Sequence, residues 1–311
     1  MQSLRDIKRR IRSVKNIAQI TKAMEVVSMN KMRRTQRSAL AARPYSLAAL
    51  HMLVNLLKMT PKNKLPDILR ERPIKNLLLV AITTDKGLVG GFNDNVLRKM
   101  DAFISRRNTE SVSYKIVTIG KKAKEHSDRK GYLLAGSFVG HGDFVDMEET
   151  SAAADFILNG FMKKEWDAVT VVYTHFKTTL KQETKEKKIL PTRQKTIEET
   201  IDEIIPEYGL YSEIRKEKMN GKTHYNFTYK FEPSAERILH DLASDLLRFT
   251  LHDIMLESNA SEHSSRMVTM KNASDNASDL RSKLTLSFNK ARQAGITAEL
   301  SEIVAGAEAL K

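Results

Sequence analysis

The C-terminal segment restricts the possible folds of this chain more than any other part. Between Ser234 and Lys311 the sequence has no proline, and its only glycines are Gly295 and Gly306. Apolar residues recur there at helical three- and four-residue spacing, which is typical of a helix that packs along one stripe. About 75 helical residues at ~1.5 Å each would make a rod of roughly 110 Å. No small globular domain buries such a rod, so we expect it to pack on another long helix, on other proteins, or on both. The stripe consists of Leu239, Leu242, Leu246 and Phe249, followed by Ala273, Ala277, Leu280, Leu284, Ala291 and Ala298.

The N-terminal segment predicts a second long helix. From Ser3 to Met59 it has no glycine, and its only proline, Pro44, is expected to kink the helix. One stripe follows coiled-coil spacing and becomes partly polar towards its end, and a neighbouring apolar stripe runs beside it. The wide apolar surface predicts more than one packing partner. The first stripe is Leu4, Ile7, Ile11, Val14, Ala18 and Thr21, continued by Glu25, Ser28 and Met32, and the second is Ile17, Ile20, Met24 and Val27.

The middle of the chain predicts a small α/β domain. Short apolar runs at Leu77–Ile82, Tyr114–Ile119 and Ala168–Tyr173 have the composition of buried parallel strands. Helical patterns fall between and around them, at Asp94–Ile104, Lys121–Arg129 and Glu148–Lys164. Because strands alternate with helices, the sheet is expected to be mainly parallel and Rossmann-like. The charged stretch Lys177–Glu232 predicts a hairpin or long loop, and Thr223–Phe231 predicts an exposed strand.

Together these patterns predict three regions. We assign residues 1–60 to an N-terminal helix, 74–232 to the α/β domain and 233–311 to a C-terminal helix, with 191–231 as a weakly patterned insertion or hairpin. Both helices leave the same domain, so they are expected to run antiparallel as a coiled coil. The predicted fold class is therefore a long antiparallel coiled coil joined to a small α/β domain.

Composition narrows the functional classes. The chain has no cysteine, which excludes disulfides, thiol nucleophiles and cysteine-based zinc sites. The net charge is +14, and residues 1–43 carry twelve Lys or Arg against two acids. Such a charge suits an acidic protein, an anionic lipid surface or a nucleic acid. A basic coiled-coil nucleic-acid binder is the alternative function. The basic residues are interleaved with the apolar stripe, however, which favours a charged outer face on a packed helix.

No segment fits a catalytic, cofactor or metal template. The glycine-rich stretch Thr83–Asn93 follows a buried strand and could cradle phosphate. Its glycine spacing fits neither a dinucleotide fingerprint nor a P-loop, so a tight turn or a protein contact is the preferred interpretation. Asn220–Thr223 ends like a P-loop but lacks the leading glycine and the strand. The eight histidines form no ligand set, and no nucleophile-elbow sequence occurs.

Four long motifs resemble the gamma subunits of rotary F-type ATP synthases. Ser3–Arg34 (SLRDIKRRIRSVKNIAQITKAMEVVSMNKMRR) is similar to their N-terminal signature. TTDKGLVGGFN at Thr83–Asn93 is similar to a central element of the family, with Lys86 in place of its arginine. Glu262–Leu280 with Leu284–Leu310 is similar to the C-terminal signature, and Pro191–Phe231 matches poorly. The resemblance implies a central-stalk rotor subunit without a catalytic site or cofactor of its own.

The resemblance also implies partners and contact residues. The helices would turn inside a hexamer of alpha and beta subunits, one copy per complex, while the c-ring turns the α/β domain. Arg292 and Gln293 would touch an acidic loop of beta, and Lys22, Met24, Lys86 and Val89 would lie near an acidic lever of beta. Leu300, Ile303, Val304 and Leu310 would form an apolar bearing tip. Tyr229, Phe231 and Glu232 would lie near the epsilon subunit and the c-ring.

The expected location is peripheral to an energy-coupling membrane. The longest apolar run is far shorter than the ~20 residues of a spanning helix. A start without a presequence favours the cytoplasmic side of a bacterial plasma membrane, with the matrix side of a mitochondrial inner membrane as the alternative.

Overall fold

The computed structural model describes residues 4–61, 65–109, 112–192, 197 and 235–308. Two long helices lie at the ends of the chain, α1 (Leu4–Met59) and α5 (Ala235–Glu308). The segment between them contains, in order, β1 (Asn76–Ile82), α2 (Phe92–Thr109), β2 (Ser113–Ile119), α3 (Lys121–Lys130), β3 (Leu134–Phe138), α4 (Met147–Met162), β4 (Ala168–Phe176) and β5 (Gln182–Leu190). The three strands and three helices predicted for the middle region are confirmed. The predicted strand at Thr223–Phe231 lies outside the described residues.

The five strands form one sheet in the order β3-β2-β1-β4-β5. The first four strands are parallel, and β5 returns antiparallel beside β4 as a hairpin. The sheet is therefore mainly parallel, as the sequence predicts. Edge strands β3 and β5 are the two that the apolar runs did not reveal.

Side chains on β1 alternate between two hydrophobic cores. Leu78, Val80 and Ile82 face one core, which also contains apolar residues of α1, α4 and α5. Leu77, Leu79 and Ala81 face the other core, on the side of α2 and α3. Because both faces are covered, β1 is apolar at nearly every position, as expected for a central parallel strand.

The chain divides into two compact units. One contains residues 31–263, with the sheet, its helices and the adjoining parts of α1 and α5. In this unit the two long helices approach at Thr35, whose hydroxyl lies 3.0 Å from Asn259 Oδ1. They also approach where Leu50, Leu246 and Leu247 line a common cavity. From Thr35 to Leu50 the chain advances along α1 while its neighbour in α5 goes back from Asn259 to Leu246, so the helices run antiparallel.

The other unit contains residues 1–30 and 264–311 and consists, where described, of the remaining parts of α1 and α5. The Ser274 hydroxyl donates to the carbonyl oxygen of Ala18 at 3.3 Å. Ile7 in α1 and Ala277 in α5 are buried, which confirms the first α1 stripe as a packing seam. α1 is helical through Pro44, and the kink there stays a prediction.

Some of the predicted stripe residues do not pack within the chain. Phe249 and Leu280 are about half exposed, so the prediction that they belong to the α5 seam is wrong for the chain alone. In the second α1 stripe, Ile17, Ile20 and Val27 are each at least half exposed. These apolar surfaces are free for other proteins.

Candidate functional site

The glycine-rich turn lies at the carboxyl end of β1, where parallel sheets usually place their ligands. Thr84 and Asn93 connect the two ends of the turn by hydrogen bonds. The Thr84 amide donates to Asn93 Oδ1 at 3.1 Å, and Asn93 Nδ2 donates back to the Thr84 hydroxyl at 2.9 Å. Both residues are buried. The turn is therefore held at its two ends before any partner binds.

Asp85 ties the turn to two neighbouring loops. Its Oδ1 accepts from the Lys121 amide at 2.7 Å, at the start of α3. Its Oδ2 accepts from the Gly140 amide at 2.9 Å, in the loop after β3. A carboxylate that accepts backbone N–H groups makes charge-assisted bonds, which are stronger than neutral ones. Asp85 thus joins three loops at one edge of the sheet.

The apex of the turn exposes Leu88 and buries Val89. Leu88 has φ 65°, a left-handed conformation that is unfavourable for a leucine, and its side chain is 59% exposed. Val89 is only 3% exposed, so its side chain supports the turn from inside and is not accessible to a partner. Lys86 extends outwards, with its Nζ 3.1 Å from Asp143 Oδ1. Of the two turn contacts predicted from sequence, Lys86 is exposed and Val89 is covered.

Replacement of Leu88 by glycine should stabilise the purified chain. Glycine adopts positive φ without steric cost, and relief of left-handed strain is expected to add roughly 1 kcal/mol to the free energy of unfolding. Lys164→Gly is the matched control, because Lys164 has φ 62° at the end of α4. Urea denaturation followed by the fluorescence of Trp166 would measure both variants. A loss of stability in Leu88→Gly would show that contacts of the leucine side chain stabilise the fold by more than its left-handed backbone strain destabilises it.

The crevice between this turn and α5 is too small for a nucleotide. Its volume is about 40 Å³, and it lies between the end of β1, the loop after β3 and Met255, Ser258 and Asn259 of α5. Small-molecule sites usually measure several hundred Å³, whereas one water takes roughly 30 Å³ of liquid. Helix α5 therefore closes the place where a Rossmann-like sheet would otherwise hold a ligand. A second, open depression of about 670 Å³ lies on the other side of the turn, lined by residues 87–90, α2 and α3. The protein-contact interpretation of the turn is therefore favoured by the closed sheet edge alone.

The predicted helix contacts lie on the surfaces of α1 and α5. Lys22 is exposed and pairs with Glu25, with Nζ 3.0 Å from Oε2. Met24 is half-buried, and Arg292 and Gln293 are exposed. In the described structure these side chains are accessible to another subunit.

The end of α5 exposes apolar side chains. Leu300, Ile303 and Val304 are 57%, 67% and 61% exposed. Since Ser274 lies opposite Ala18 and α1 begins at Leu4, antiparallel pairing ends near residue ~288 by helix geometry. The last turns of α5 therefore extend past the described part of α1. Leu310 lies outside the described residues, as do Tyr229, Phe231 and Glu232.

Three half-buried groups form a second polar cluster: Asp101 on α2, His126 on α3 and Tyr132 in the connection that follows α3. Tyr132 donates to Asp101 Oδ1 at 3.0 Å, and His126 Nε2 lies 2.9 Å from the same oxygen. Burial, followed by the bond to Asp101, raises the pKa of Tyr132 to about 12. The cluster joins the two helices that cover one face of the sheet. In the described part of the chain, no group of His, Asp and Glu has the arrangement of a metal site.

Comparison with known proteins agrees with this architecture. A family model described as ATP synthase matches residues 3–310. The ATP synthase gamma chain of Chloroflexus aurantiacus is 38% identical over 312 residues, which cover 100% of this chain and 99% of the relative. That of Pelotomaculum thermopropionicum is 37% identical and covers all of both chains.

Solved structures share the fold. A chain of the Euglena gracilis mitochondrial ATP synthase superposes with a TM-score of 0.62 at 19% identity, covering 99% of this chain and 94% of that one. A chain from the central stalk and c-ring of the Tetrahymena thermophila enzyme gives 0.57 at 23% identity, with 82% and 99% covered. The family match over nearly the whole chain, supported by relatives above 30% identity, leads to one conclusion: this chain belongs to the ATP synthase gamma-chain family.

Proposed function

We propose that this chain is a rotor shaft that carries torque between a c-ring and the catalytic beta subunits of an F-type ATP synthase. Members of its family are non-catalytic stalk subunits, so the ATP chemistry takes place in other chains. One observation carries the proposal. The end of α5 extends past α1 and exposes Leu300, Ile303 and Val304. Such a helix end needs an enclosing partner, and its apolar side chains can turn inside a sleeve with little angular preference.

The proposed beta contacts divide into two groups. Arg292 and Gln293 are exposed on α5, beyond the part of this helix that pairs with α1. They would contact an acidic loop of beta. Lys22, Met24 and Lys86 would meet an acidic lever of beta, with the turn apex presenting the backbone around Val89. Positive side chains against acidic loops give contacts that guide without locking. The exposed stripe of Ile17, Ile20 and Val27 supports an enclosing hexamer of alpha and beta subunits.

The α/β domain would be the part of the chain that binds the rotating c-ring. We propose residues 1–60 and 233–311 as the shaft and 74–232 as this domain, with Tyr229, Phe231 and Glu232 near epsilon and the c-ring. None of the described helices is long and apolar enough to cross a bilayer. The chain is part of the membrane-associated F1 sector of the synthase. We place the chain on the cytoplasmic side of a bacterial plasma membrane.

Arg292→Ala tests the shaft role. In membrane vesicles that carry the assembled synthase, we expect ATP synthesis to fall at least about tenfold, because loss of a charge-assisted contact costs about 1.5–3 kcal/mol. Arg281→Ala is the matched control, an exposed arginine on the same helix. Luciferase detection of ATP would measure both. Equal synthesis rates in the two variants would remove Arg292 from the proposed contact set.

A further inference from the structure

The loop between β3 and α4 contacts three other elements through Asp143. On its side chain, Oδ2 lies 2.7 Å from Lys31 Nζ of α1, and Oδ1 accepts from Lys86 Nζ of the glycine-rich turn at 3.1 Å. Its carbonyl oxygen lies 2.8 Å from His263 Nε2 of α5. A carbonyl oxygen can only accept, so Nε2 of His263 is the donor. One residue therefore joins the turn to both long helices.

The next residue in the loop strengthens this junction. The guanidinium carbon of Arg34 lies 4.1 Å from the centroid of the Phe144 ring, at cation–π distance. The Phe144 and His263 rings lie 6.5 Å apart between centroids, and His263 is 1% exposed. Phe144 thus lies between α1 and α5, close to the ion pairs of Asp143. The loop holds both helices by packing as well as by charge.

The Asp143 carboxylate is half-covered and shared by two cations. Its side chain is 37% exposed, compared with 27% for Lys31 and 68% for Lys86. The hydrogen bond from Lys31, supported by that from Lys86, lowers the pKa of Asp143 to about 2. The group is therefore ionised at every physiological pH. A shared carboxylate makes a small network, which is more effective than an isolated surface pair.

We propose that Asp143 is a positioning residue for torque transfer, which fixes the glycine-rich turn to α1 so that load on the turn passes into the shaft. The inference rests on the proposed function, because the turn must bear load. Asp143 acts through Lys86 and Lys31, not through contact with another subunit. Without the carboxylate, the two lysines repel each other and the apex of the turn can yield. Asp85 and the Thr84–Asn93 pair would still hold the base of the turn, so the fold should persist.

The test uses the whole synthase in inverted membrane vesicles. Asp143→Asn removes the charge and keeps the shape, and ATP hydrolysis and ATP-driven proton uptake are measured in the same vesicles. We expect hydrolysis close to that of the parent and proton uptake per ATP reduced about twofold to fivefold, which is the change in an equilibrium that loss of such an ion pair produces. Asp143→Glu, which can reach both lysines, should restore most of the coupling. Lys86→Gln should reduce coupling at least as much as Asp143→Asn, because it removes both the pair with Asp143 and the proposed beta contact.

Asp155→Asn is the matched control. Asp155 on α4 pairs with Arg248 on α5 at 2.8 Å, so it also ties the sheet region to a shaft helix. Its exposure resembles that of Asp143, but it does not contact the turn. We expect this variant to keep the parent ratio of proton uptake to hydrolysis. An equal loss of coupling in Asp143→Asn and Asp155→Asn would reduce Asp143 to a structural role, and unchanged coupling in Asp143→Asn would overturn the proposal. ATP-driven proton uptake by vesicles whose synthase lacks this chain would instead overturn the rotor function.

Discussion

Gly160→Ala is expected to destabilise the sheet-containing unit by about 3 kcal/mol or more, a severe case of overpacking. An added Cβ would lie 1.9 Å from Cζ2 and 2.1 Å from Cη2 of Trp166. The indole is 2% exposed, and its Nε1 donates to the Ile157 carbonyl oxygen at 2.9 Å. Any shift that relieves the collision breaks this bond and the contact with the Phe156 ring, whose centroid is 5.9 Å away.

Urea denaturation would measure this loss directly. Trp166 is the only tryptophan of the chain, so its fluorescence reports unfolding of the unit that contains Gly160. Gly295→Ala is the matched control, a helical glycine with no atom within 4 Å of its added Cβ, and it should stabilise α5 by ~0.5–1 kcal/mol. Circular dichroism would follow that variant. Shortening the ring in Gly160→Ala/Trp166→Phe should recover part of the loss; because this variant has no tryptophan, its urea denaturation is followed by circular dichroism. An unchanged urea midpoint for Gly160→Ala would mean that the indole can move freely, which contradicts its packing.

Gly120→Ala is expected to be nearly as damaging and to displace the glycine-rich turn. Gly120 has φ 99°, and an added Cβ would lie 2.2 Å from the carbonyl oxygen of Thr83 and 2.7 Å from its carbon. These are backbone atoms at the start of the turn, so they cannot rotate away as a side chain could. The Gly120 amide also donates to the Phe138 carbonyl oxygen at 2.7 Å, which fixes it from the other side. We expect a loss of about 3 kcal/mol, from strain and collision together.

Gly140→Ala separates the two causes. Gly140 has φ 86°, but an added Cβ meets no atom within 4 Å, so only the backbone strain of roughly 1 kcal/mol remains. The difference between the two unfolding free energies is then the cost of the collision. If both variants lose the same amount, the close approach to Thr83 does not explain the glycine.

The sequence predicts the central strands best, because a strand that is buried on both faces has an apolar residue at nearly every position. The run Leu77–Ile82 identifies β1, since each of its side chains enters one of two cores. Strand β3 (LAGSF) is half-exposed and rich in small residues, and β5 (QETKEKKIL) carries charges on an exposed face. Edge strands keep one side in water, so they lose the continuous apolar pattern. Periodicity alone could not find them.

In the candidate site, too, features that are local in the sequence can be predicted and contacts between distant residues cannot. The position of the turn after β1 is predictable, because strand, glycines and helix are adjacent in the chain. The contacts of Asp85 are not, since Lys121 and Gly140 lie 36 and 55 residues away. Asp143 is a single acid in a loop without a motif, and only the folded chain brings Lys31 and Lys86 to it. Burial of Val89 and exposure of Leu88 depend on backbone dihedrals that the sequence pattern does not contain.

The bare end of α5 affects the life of the free chain before assembly. Leu286, Ile296, Leu300, Ile303 and Val304 are all exposed there, and such surfaces attract further copies of themselves. Self-association grows with the concentration of unassembled chain, whereas capture by a partner removes chain from that pool. When a cell makes this protein in excess over its partners, the unassembled chain is therefore expected to aggregate. Balanced synthesis of the subunits is thus a solubility requirement that the chain imposes on the cell.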